Sequence, residues 1–194
     1  MYKKYIIVSV IVIVLLHIMP LYASHEGPYP VKREHGGFDI KPQEAHKLIT
    51  NNPDKYYLVD VRTRYEYQDI GHPEGAYNIP LLFYTTNVGT KGYKKSYNNN
   101  FCRDLKDRFN SATDTIFFIC RSAERSTIAV NEAMKCGFNK SNTYNVLGGF
   151  EGDKVHDKAS PFYGQRMVGG WRHEGLPWTY LIKQDFVYLP DIRK

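Results

Sequence analysis

Residues 115–126 read TIFFICRSAERS, and this segment carries both the expected architecture and the expected chemistry. Its first five residues are β-branched or aromatic without polar alternation, which predicts a strand buried on both faces of a sheet. Cys120 follows, and residues 126–136 have the apolar spacing of a helix that Ser126 opens. In open α/β sheets, ligands bind beyond the carboxyl ends of the strands, where the N–H groups of a helix N-terminus attract anions. A sulfur held there is stabilised as the thiolate, so Cys120 is the candidate nucleophile.

The loop after Cys120 carries charges of both signs. Arg121 and Arg125 add positive charge near the sulfur and favour an anionic substrate. Glu124 opposes them unless its side chain points away from the loop or meets a basic partner. The loop therefore predicts an anion site whose strength depends on where Glu124 points.

The flanking segments predict strands that alternate with helices. Expected strands cover 56–61, 76–79, 115–119 and 143–147, and expected helices start within 39–44 and cover 64–69, 101–109 and 126–136. The glycines and asparagines of residues 81–100 predict a long polar loop. The alternation of strands and helices indicates a parallel α/β sheet.

The N-terminal residues have the order of a secretory signal peptide. Lys3 and Lys4 precede an almost wholly apolar run at 6–19, and small residues follow it. This order predicts a cleaved signal peptide over 1–24 and export to the periplasm, with no membrane span after cleavage. An uncleaved anchor is the alternative, although a span needs about 20 apolar residues and this run is shorter.

Size and charge limit the classes of function. The 194 residues suffice for one domain with a proper core. The formal charge of +6 favours small anionic ligands or an acidic partner, whereas no basic run with interleaved aromatic residues indicates nucleic-acid binding. The histidines show no metal-ligand spacing with the cysteines, so we expect neither a metal site nor a cofactor.

The chain has three cysteines, Cys102, Cys120 and Cys136. In an oxidising compartment an odd number leaves at least one thiol free or paired outside the chain. Two arrangements remain open: a Cys102–Cys136 disulfide with Cys120 free, or a buried Cys136 thiol with an exposed Cys102. Sequence separation does not set the distance between two sulfur atoms, so the sequence does not choose between these arrangements.

Several ordered motifs resemble those of rhodanese domains. They are DVR at 60–62 with EY at 66–67 and GHPEGAYNIP at 71–80, CRSAERS at 120–126, VLGGF at 146–150, and GW through GLPW at 170–178. The resemblance implies a rhodanese domain over 38–180, which follows a flexible lead-in over 25–37 and precedes a C-terminal tail over 181–194.

The resemblance implies an α/β fold with a five-stranded parallel sheet flanked by helices. It also implies a sulfurtransferase whose nucleophile Cys120 takes the outer sulfur of thiosulfate or polysulfide and passes it, as a persulfide, to a thiol or protein acceptor. The implied substrate-binding residues are Arg121, Ser122, Ala123, Glu124 and Arg125, and the implied structural residues are Asp60, Arg62 and Ser126. A loop of this length resembles sulfurtransferases, since the related phosphatases carry one residue more.

The sequence departs from the family pattern in two places. Ala123 stands where glycine is frequent, and its methyl group is acceptable if the φ angle there is negative. Residues 151–168 form an insertion that, together with the 81–100 loop, we expect to rim the pocket and set acceptor choice. These departures keep a second function open, a relay module that holds persulfide sulfur and delivers it to a partner protein.

Overall fold

The computed structural model describes residues 33–188. The predicted signal peptide over 1–24 lies outside the described residues, as do 25–32 of the lead-in and 189–194 of the tail. Within the described range, no helix combines the length and the hydropathy that crossing a membrane requires.

The described chain forms eleven strands and four helices. The strands are β1 (Phe38–Ile40), β2 (Tyr56–Asp60), β3 (His72–Pro73), β4 (Tyr77–Asn78), β5 (Leu82–Gly89), β6 (Gly92–Tyr97), β7 (Thr115–Ile119), β8 (Thr143–Val146), β9 (Asp153–Lys154), β10 (Arg166–Val168) and β11 (Trp178–Thr179). The helices are α1 (Pro42–Asn51), α2 (Arg64–Asp69), α3 (Phe101–Lys106) and α4 (Glu124–Lys135), with 3₁₀ turns at Lys140–Asn142 and Gln184–Phe186.

Five strands form one parallel sheet in the order β1-β8-β7-β2-β4, which confirms the predicted fold class. All residues of the central strand β7 are buried. Its side chains alternate between two cores: Ile116 and Phe118 pack with residues of α3 and α4, whereas Phe117 and Ile119 pack with α1 and Trp171. The strand lacks polar alternation because both of its faces are covered.

The helix expected to start within 39–44 begins at Pro42, but three other local features differ from the predictions. Residues 38–40 form the edge strand β1, which was not predicted because a three-residue strand is too short to show a detectable period. Residues 82–97 form the antiparallel hairpin β5–β6 instead of a long loop, and their strand pattern is weak because most of the side chains are exposed. Helix α4 begins at Glu124, two residues before the expected start at Ser126.

The three cysteines fall into two classes. A disulfide joins Cys102 in α3 to Cys136 at the C-terminus of α4, with the two Cα atoms 5.3 Å apart. Cys120 is the free cysteine. The structure thus selects one of the two arrangements that the sequence leaves open.

Candidate active site

The free thiol of Cys120 lies at the carboxyl end of β7, where the chain turns into α4. Only 1% of this residue is exposed, and it lines a cavity of about 220 Å³. The other walls come from the loop residues Arg121, Ser122, Glu124 and Arg125, from Glu66 and Ile128, and from the hairpin residues Leu82, Tyr84 and Lys95. The cavity therefore lies between the loop, the first turn of α4 and the hairpin.

The backbone N–H groups of the loop are free to bind a ligand. Within residues 33–188, the N–H groups of Arg121, Ser122 and Ala123 donate to no acceptor. The first N–H groups of α4 also lack intrahelical partners, because a helix cannot satisfy its own first turn. Unused donors at the positive end of a helix stabilise a thiolate or a bound anion.

Ala123 makes the turn from the loop into α4 in a left-handed conformation. Its φ angle is +67°, and it is the only non-glycine residue with positive φ in the described part of the chain. The negative φ angle that would accommodate the methyl group without strain is therefore not adopted. A left-handed conformation costs an L-residue about 1–2 kcal/mol, which the surrounding packing offsets because Ala123 is buried.

The segment after β8 holds the loop in place through hydrogen bonds to the carbonyl groups of the loop. The N–H of Phe150 donates to the carbonyl of Cys120 at 2.7 Å, and the N–H of Glu151 donates to the carbonyl of Arg121 at 3.0 Å. Gly149 touches the same backbone, since a Cβ atom there would lie 2.6 Å from the carbonyl oxygen of Cys120. These bonds occupy the first two loop carbonyls and leave the N–H groups without protein partners.

Arg125 is held by Glu66 of helix α2. Its two terminal nitrogens donate to the two carboxylate oxygens at 2.7 and 2.6 Å, and both side chains are mostly buried. Burial alone would raise the pKa of Glu66, but the hydrogen bonds and charge of Arg125, with the bonds from Thr63, outweigh burial and lower the pKa to about 2. Arg125 thus ties α4 to α2, and Glu66 balances most of its charge.

Asp60 and Arg62 form a fully buried ion pair where β2 ends. The Nε and Nη2 atoms of Arg62 donate to the carboxylate at 2.5–3.0 Å, and Nη2 also donates to the carbonyl of Gly71 at 2.8 Å. Burial opposes the charge on Arg62, but Asp60 outweighs burial and raises the pKa of the guanidinium. Neither side chain is part of the cavity wall, so the pair joins β2 to the turn at Gly71.

Glu124 lies at the cavity mouth with its side chain largely in solvent. Its Oε2 atom is 3.7 Å from Nη2 of Arg33, and 65% of the side chain is exposed. Water screens an exposed carboxylate, so Glu124 reduces the positive potential at Arg121 only weakly.

Ser126 connects the thiol to a buried chain of polar groups. Its Oγ atom lies 3.5 Å from Sγ of Cys120 and donates to Oδ1 of Asn145 at 2.6 Å. Asn145 in turn donates from Nδ2 to Asp39 at 2.8 Å, and Nε2 of His35 lies 3.0 Å from the same carboxylate oxygen. Because a hydroxyl has one hydrogen, Ser126 donates either to Asn145 or to a thiolate at Cys120.

The two segments expected to rim the pocket differ in their contribution. The 81–100 segment supplies three wall residues, whereas the 151–168 insertion supplies none. Arg166 of β10 nevertheless interacts electrostatically with the loop. Burial is the main cause that lowers the pKa of Arg166, and the positive charge of Arg121 lowers it further. Nearby carboxylates partly oppose this decrease.

Several residues of the site were not singled out from the sequence. Glu66 and Gly149 lie inside motifs that gave them no role, and the contact of Glu66 with Arg125 spans 59 residues. The sequence did offer a signal for Asn145, because a polar amide is unusual in a mostly buried strand. No sequence signal identified Tyr84 or Lys95, since the hairpin itself was not predicted.

The family model of the rhodanese-like domain matches residues 41–155. The chain belongs to this family. An uncharacterized protein of Rickettsia rickettsii is 34% identical over 142 residues, which cover 73% of this chain and 97% of the relative. The senescence-associated protein DIN1 of Raphanus sativus is 35% identical over 95 residues, 49% of this chain and 46% of that protein.

A solved structure agrees with the family assignment. The crystal structure of Rv0390 from M. tuberculosis shares 31% sequence identity and a TM-score of 0.55, and the match covers 76% of this chain and 100% of that chain. Sulfur transfer is the chemistry associated with the rhodanese-like family, which includes sulfurtransferases and many members that are not catalytic. Fold alone does not separate these two groups, so the function has to be argued from the site.

Proposed function

We propose that this rhodanese-like protein is a sulfurtransferase that carries sulfane sulfur as a persulfide on Cys120. The donor is a small sulfur anion such as thiosulfate or polysulfide, and the acceptor is a thiol. The observation that carries the proposal is the position of the free Cys120 in a cavity next to a loop whose N–H groups have no protein partner.

The charges around the cavity favour an anionic donor. Arg125 is balanced by Glu66, so the field in the cavity comes mainly from Arg121 and Lys95, which form no ion pair with any carboxylate of residues 33–188. Glu124 also lines the cavity, but its side chain is largely in solvent, so the net charge of the recess is positive and raises the local concentration of anions. Thiosulfate carries two negative charges and is small enough for this volume.

The proposed reaction has two displacements at sulfur. The thiolate of Cys120 attacks the outer sulfur of thiosulfate, the S–S bond of the donor breaks, and sulfite leaves with the electron pair. An acceptor thiolate then attacks the outer sulfur of the persulfide, and the Cys120 thiolate leaves. The N–H groups of residues 121–125 stabilise the negative charge on sulfur in the free enzyme and in the persulfide.

The compartment belongs to the same proposal. We propose that the protein is exported to the periplasm. The Cys102–Cys136 disulfide supports this location, because disulfides persist in oxidising compartments and are rare in the reducing cytosol.

Intact-mass spectrometry tests the persulfide directly. The purified protein is weighed before and after incubation with thiosulfate, and Cys120→Ser serves as the matched variant. We expect a gain of one sulfur atom that cyanide or a thiol removes, and no gain in Cys120→Ser. The absence of an adduct with thiosulfate, polysulfide and other persulfide donors would disprove the proposal.

A second candidate is a sulfur relay that turns over slowly. The 1% exposure of Cys120 favours it, because a persulfide recessed from bulk solvent is shielded from adventitious discharge and persists between donor and acceptor. Steady-state turnover of thiosulfate with cyanide separates the two candidates. Fast turnover supports the enzyme, whereas a stable persulfide with slow turnover supports the relay.

A further inference from the structure

The hairpin β5–β6 has a composition unlike the rest of the surface. Residues 81–100 contain three lysines, Lys91, Lys94 and Lys95, and no aspartate or glutamate. Their charge is therefore not balanced within the hairpin, whereas the whole chain has 20 acidic residues against 26 basic ones. A segment with a single sign of charge attracts partners of the opposite sign.

The hairpin also exposes large side chains beside its lysines. Tyr93 and Tyr97 are 64% and 60% exposed, and Val88, the cross-strand partner of Tyr93, is 70% exposed. Tyrosines combined with cations are typical of protein interfaces, since their rings bury much area at little cost in conformational entropy. This surface lies next to the cavity and outside it, so a small donor does not use it.

The hairpin is continuous with the cavity that holds Cys120. Leu82, Tyr84 and Lys95 line the cavity, and Tyr84 and Lys95 are cross-strand partners with the ammonium 4.9 Å from the ring centroid. On the other face, Phe83 packs against the buried Tyr188 and fixes the base of the hairpin. A molecule bound along the hairpin would therefore reach Cys120 at one end.

We propose that the hairpin β5–β6 binds the acceptor, a protein segment with acidic side chains next to its reacting cysteine. This inference rests on the proposed function and names the partner of the same site. The charge of Lys91 and Lys94 attracts the acidic side chains to the hairpin, while the cysteine enters the cavity past Tyr84 and Lys95. A nucleic acid would also match the lysines, but it supplies no thiol to a persulfide recessed beside them.

Two matched peptides test the proposal. Each has six residues and one cysteine, and they differ only in carrying three glutamates or three glutamines. The full-length protein is loaded with sulfur by polysulfide, and transfer to each peptide is followed by mass spectrometry. We expect the acidic peptide to accept sulfur about tenfold faster at low ionic strength, and this preference to fall as salt is added.

Variants then assign the preference to the hairpin. In Lys91→Gln/Lys94→Gln we expect the preference to drop to about threefold or less. In Lys106→Gln/Lys158→Gln, which changes two exposed lysines elsewhere, the preference stays. Discharge of the persulfide to a small neutral thiol stays the same in both variants, because neither pair of lysines lines the cavity.

The possible outcomes distinguish failure of the docking proposal from failure of the proposed sulfurtransferase function. If no persulfide forms on the wild-type protein, the proposed function fails first. A persulfide that forms and passes to both peptides at equal rates overturns the docking proposal alone. The docking proposal is likewise overturned if the hairpin lysines bind a single-stranded oligonucleotide while the peptide rates stay equal.

Discussion

The cysteines at the two ends of helix α4 are in different chemical states. Cys120 precedes the N-terminus of the helix as a free thiol, and Cys136 caps the C-terminus within a disulfide. The N-terminal end of a helix stabilises a negative charge on sulfur, whereas the C-terminal end disfavours it. The 12 residues of α4 separate the ends by about 18 Å, so the two sulfur sites do not interfere.

The comparison teaches that the surroundings decide the chemistry of each cysteine. At the N-terminal end, Gly149 and the Glu66–Arg125 pair hold a loop that keeps its N–H groups free. At the C-terminal end, the only comparable ion pair in the described part of the chain is the exposed Glu132–Lys135. There the Cys102–Cys136 disulfide holds the end of the helix in place instead. We therefore expect perturbations at the first end to change sulfur chemistry and perturbations at the second to change stability alone.

Gly149→Ala should have the largest effect. Its Cβ atom would collide with the loop backbone, and its φ of +62° is unfavourable for alanine, so we expect a loss of about 3–5 kcal/mol and slower sulfur uptake. Gly137→Ala, beside Cys136, is the control, because its φ of +95° meets open space and should cost only about 1–2 kcal/mol. Urea unfolding measures both, and equal losses would contradict the support given to the loop by Gly149.

Removing the disulfide should change stability without changing sulfur uptake. The bridge closes a loop with a sequence separation of 34, so Cys102→Ser/Cys136→Ser is expected to lose up to about 4 kcal/mol. The rate of persulfide formation on Cys120 should stay within twofold, roughly the scatter expected for distant sites. Loss of uptake in a variant that remains folded would show that the two ends of α4 are coupled.

Glu66→Gln tests the ion pair at the N-terminal end through its pH dependence. The pKa of Glu66 is about 2 in the folded state and 4.5 when unperturbed, so its stabilising effect is present above pH 4.5 and is lost as the pH falls toward 2. We expect the variant to be roughly 3 kcal/mol less stable at neutral pH, with the difference shrinking below pH 4.5.

Glu132→Gln is the matched control at the other end of the helix. Its partner Lys135 is exposed, so the change should cost less than about 0.5 kcal/mol at any pH. Urea unfolding of both variants and the wild type across this pH range makes the comparison. A Glu66→Gln difference that persists unchanged at low pH would contradict the role given to the carboxylate.

Apart from the control Glu132→Gln, the smallest effect is expected from Ala123→Gly. Glycine adopts the left-handed conformation without strain, but it also gains freedom in the unfolded chain, so the two effects nearly cancel. We expect a gain of roughly 0.5 kcal/mol, seen as a small rise in Tm, with persulfide formation retained. A clear loss of stability would mean that the methyl group of Ala123 packs favourably in the buried turn.

Much of the central architecture follows from sequence because burial leaves a clear pattern. Residues 115–119 show no alternation since both faces are covered, and Cys120 follows directly from the end of that strand. The disulfide does not follow, because sequence separation does not encode the 5.3 Å between the Cα atoms of Cys102 and Cys136. The conformation of Ala123 contradicts its own local preference, so only the surrounding contacts impose it.

The hairpin could not be predicted from the sequence because its strands are exposed, whereas the central strand is buried. Exposed strands show no hydrophobic period, so residues 82–97 resemble a polar loop until their pairing is seen. The partnership of Glu66 with Arg125 is equally hidden, since the charges lie 59 positions apart and meet only through the fold.

The most direct test locates the transferred sulfur within the native protein. After incubation with thiosulfate, free thiols and persulfides are alkylated, and the digested peptides are mapped by mass spectrometry. The extra sulfur is expected only on the peptide with Cys120, while Cys102 and Cys136 remain joined. Sulfur on either of those cysteines, or on none of the three, would contradict the assignment of Cys120 as the sulfur carrier.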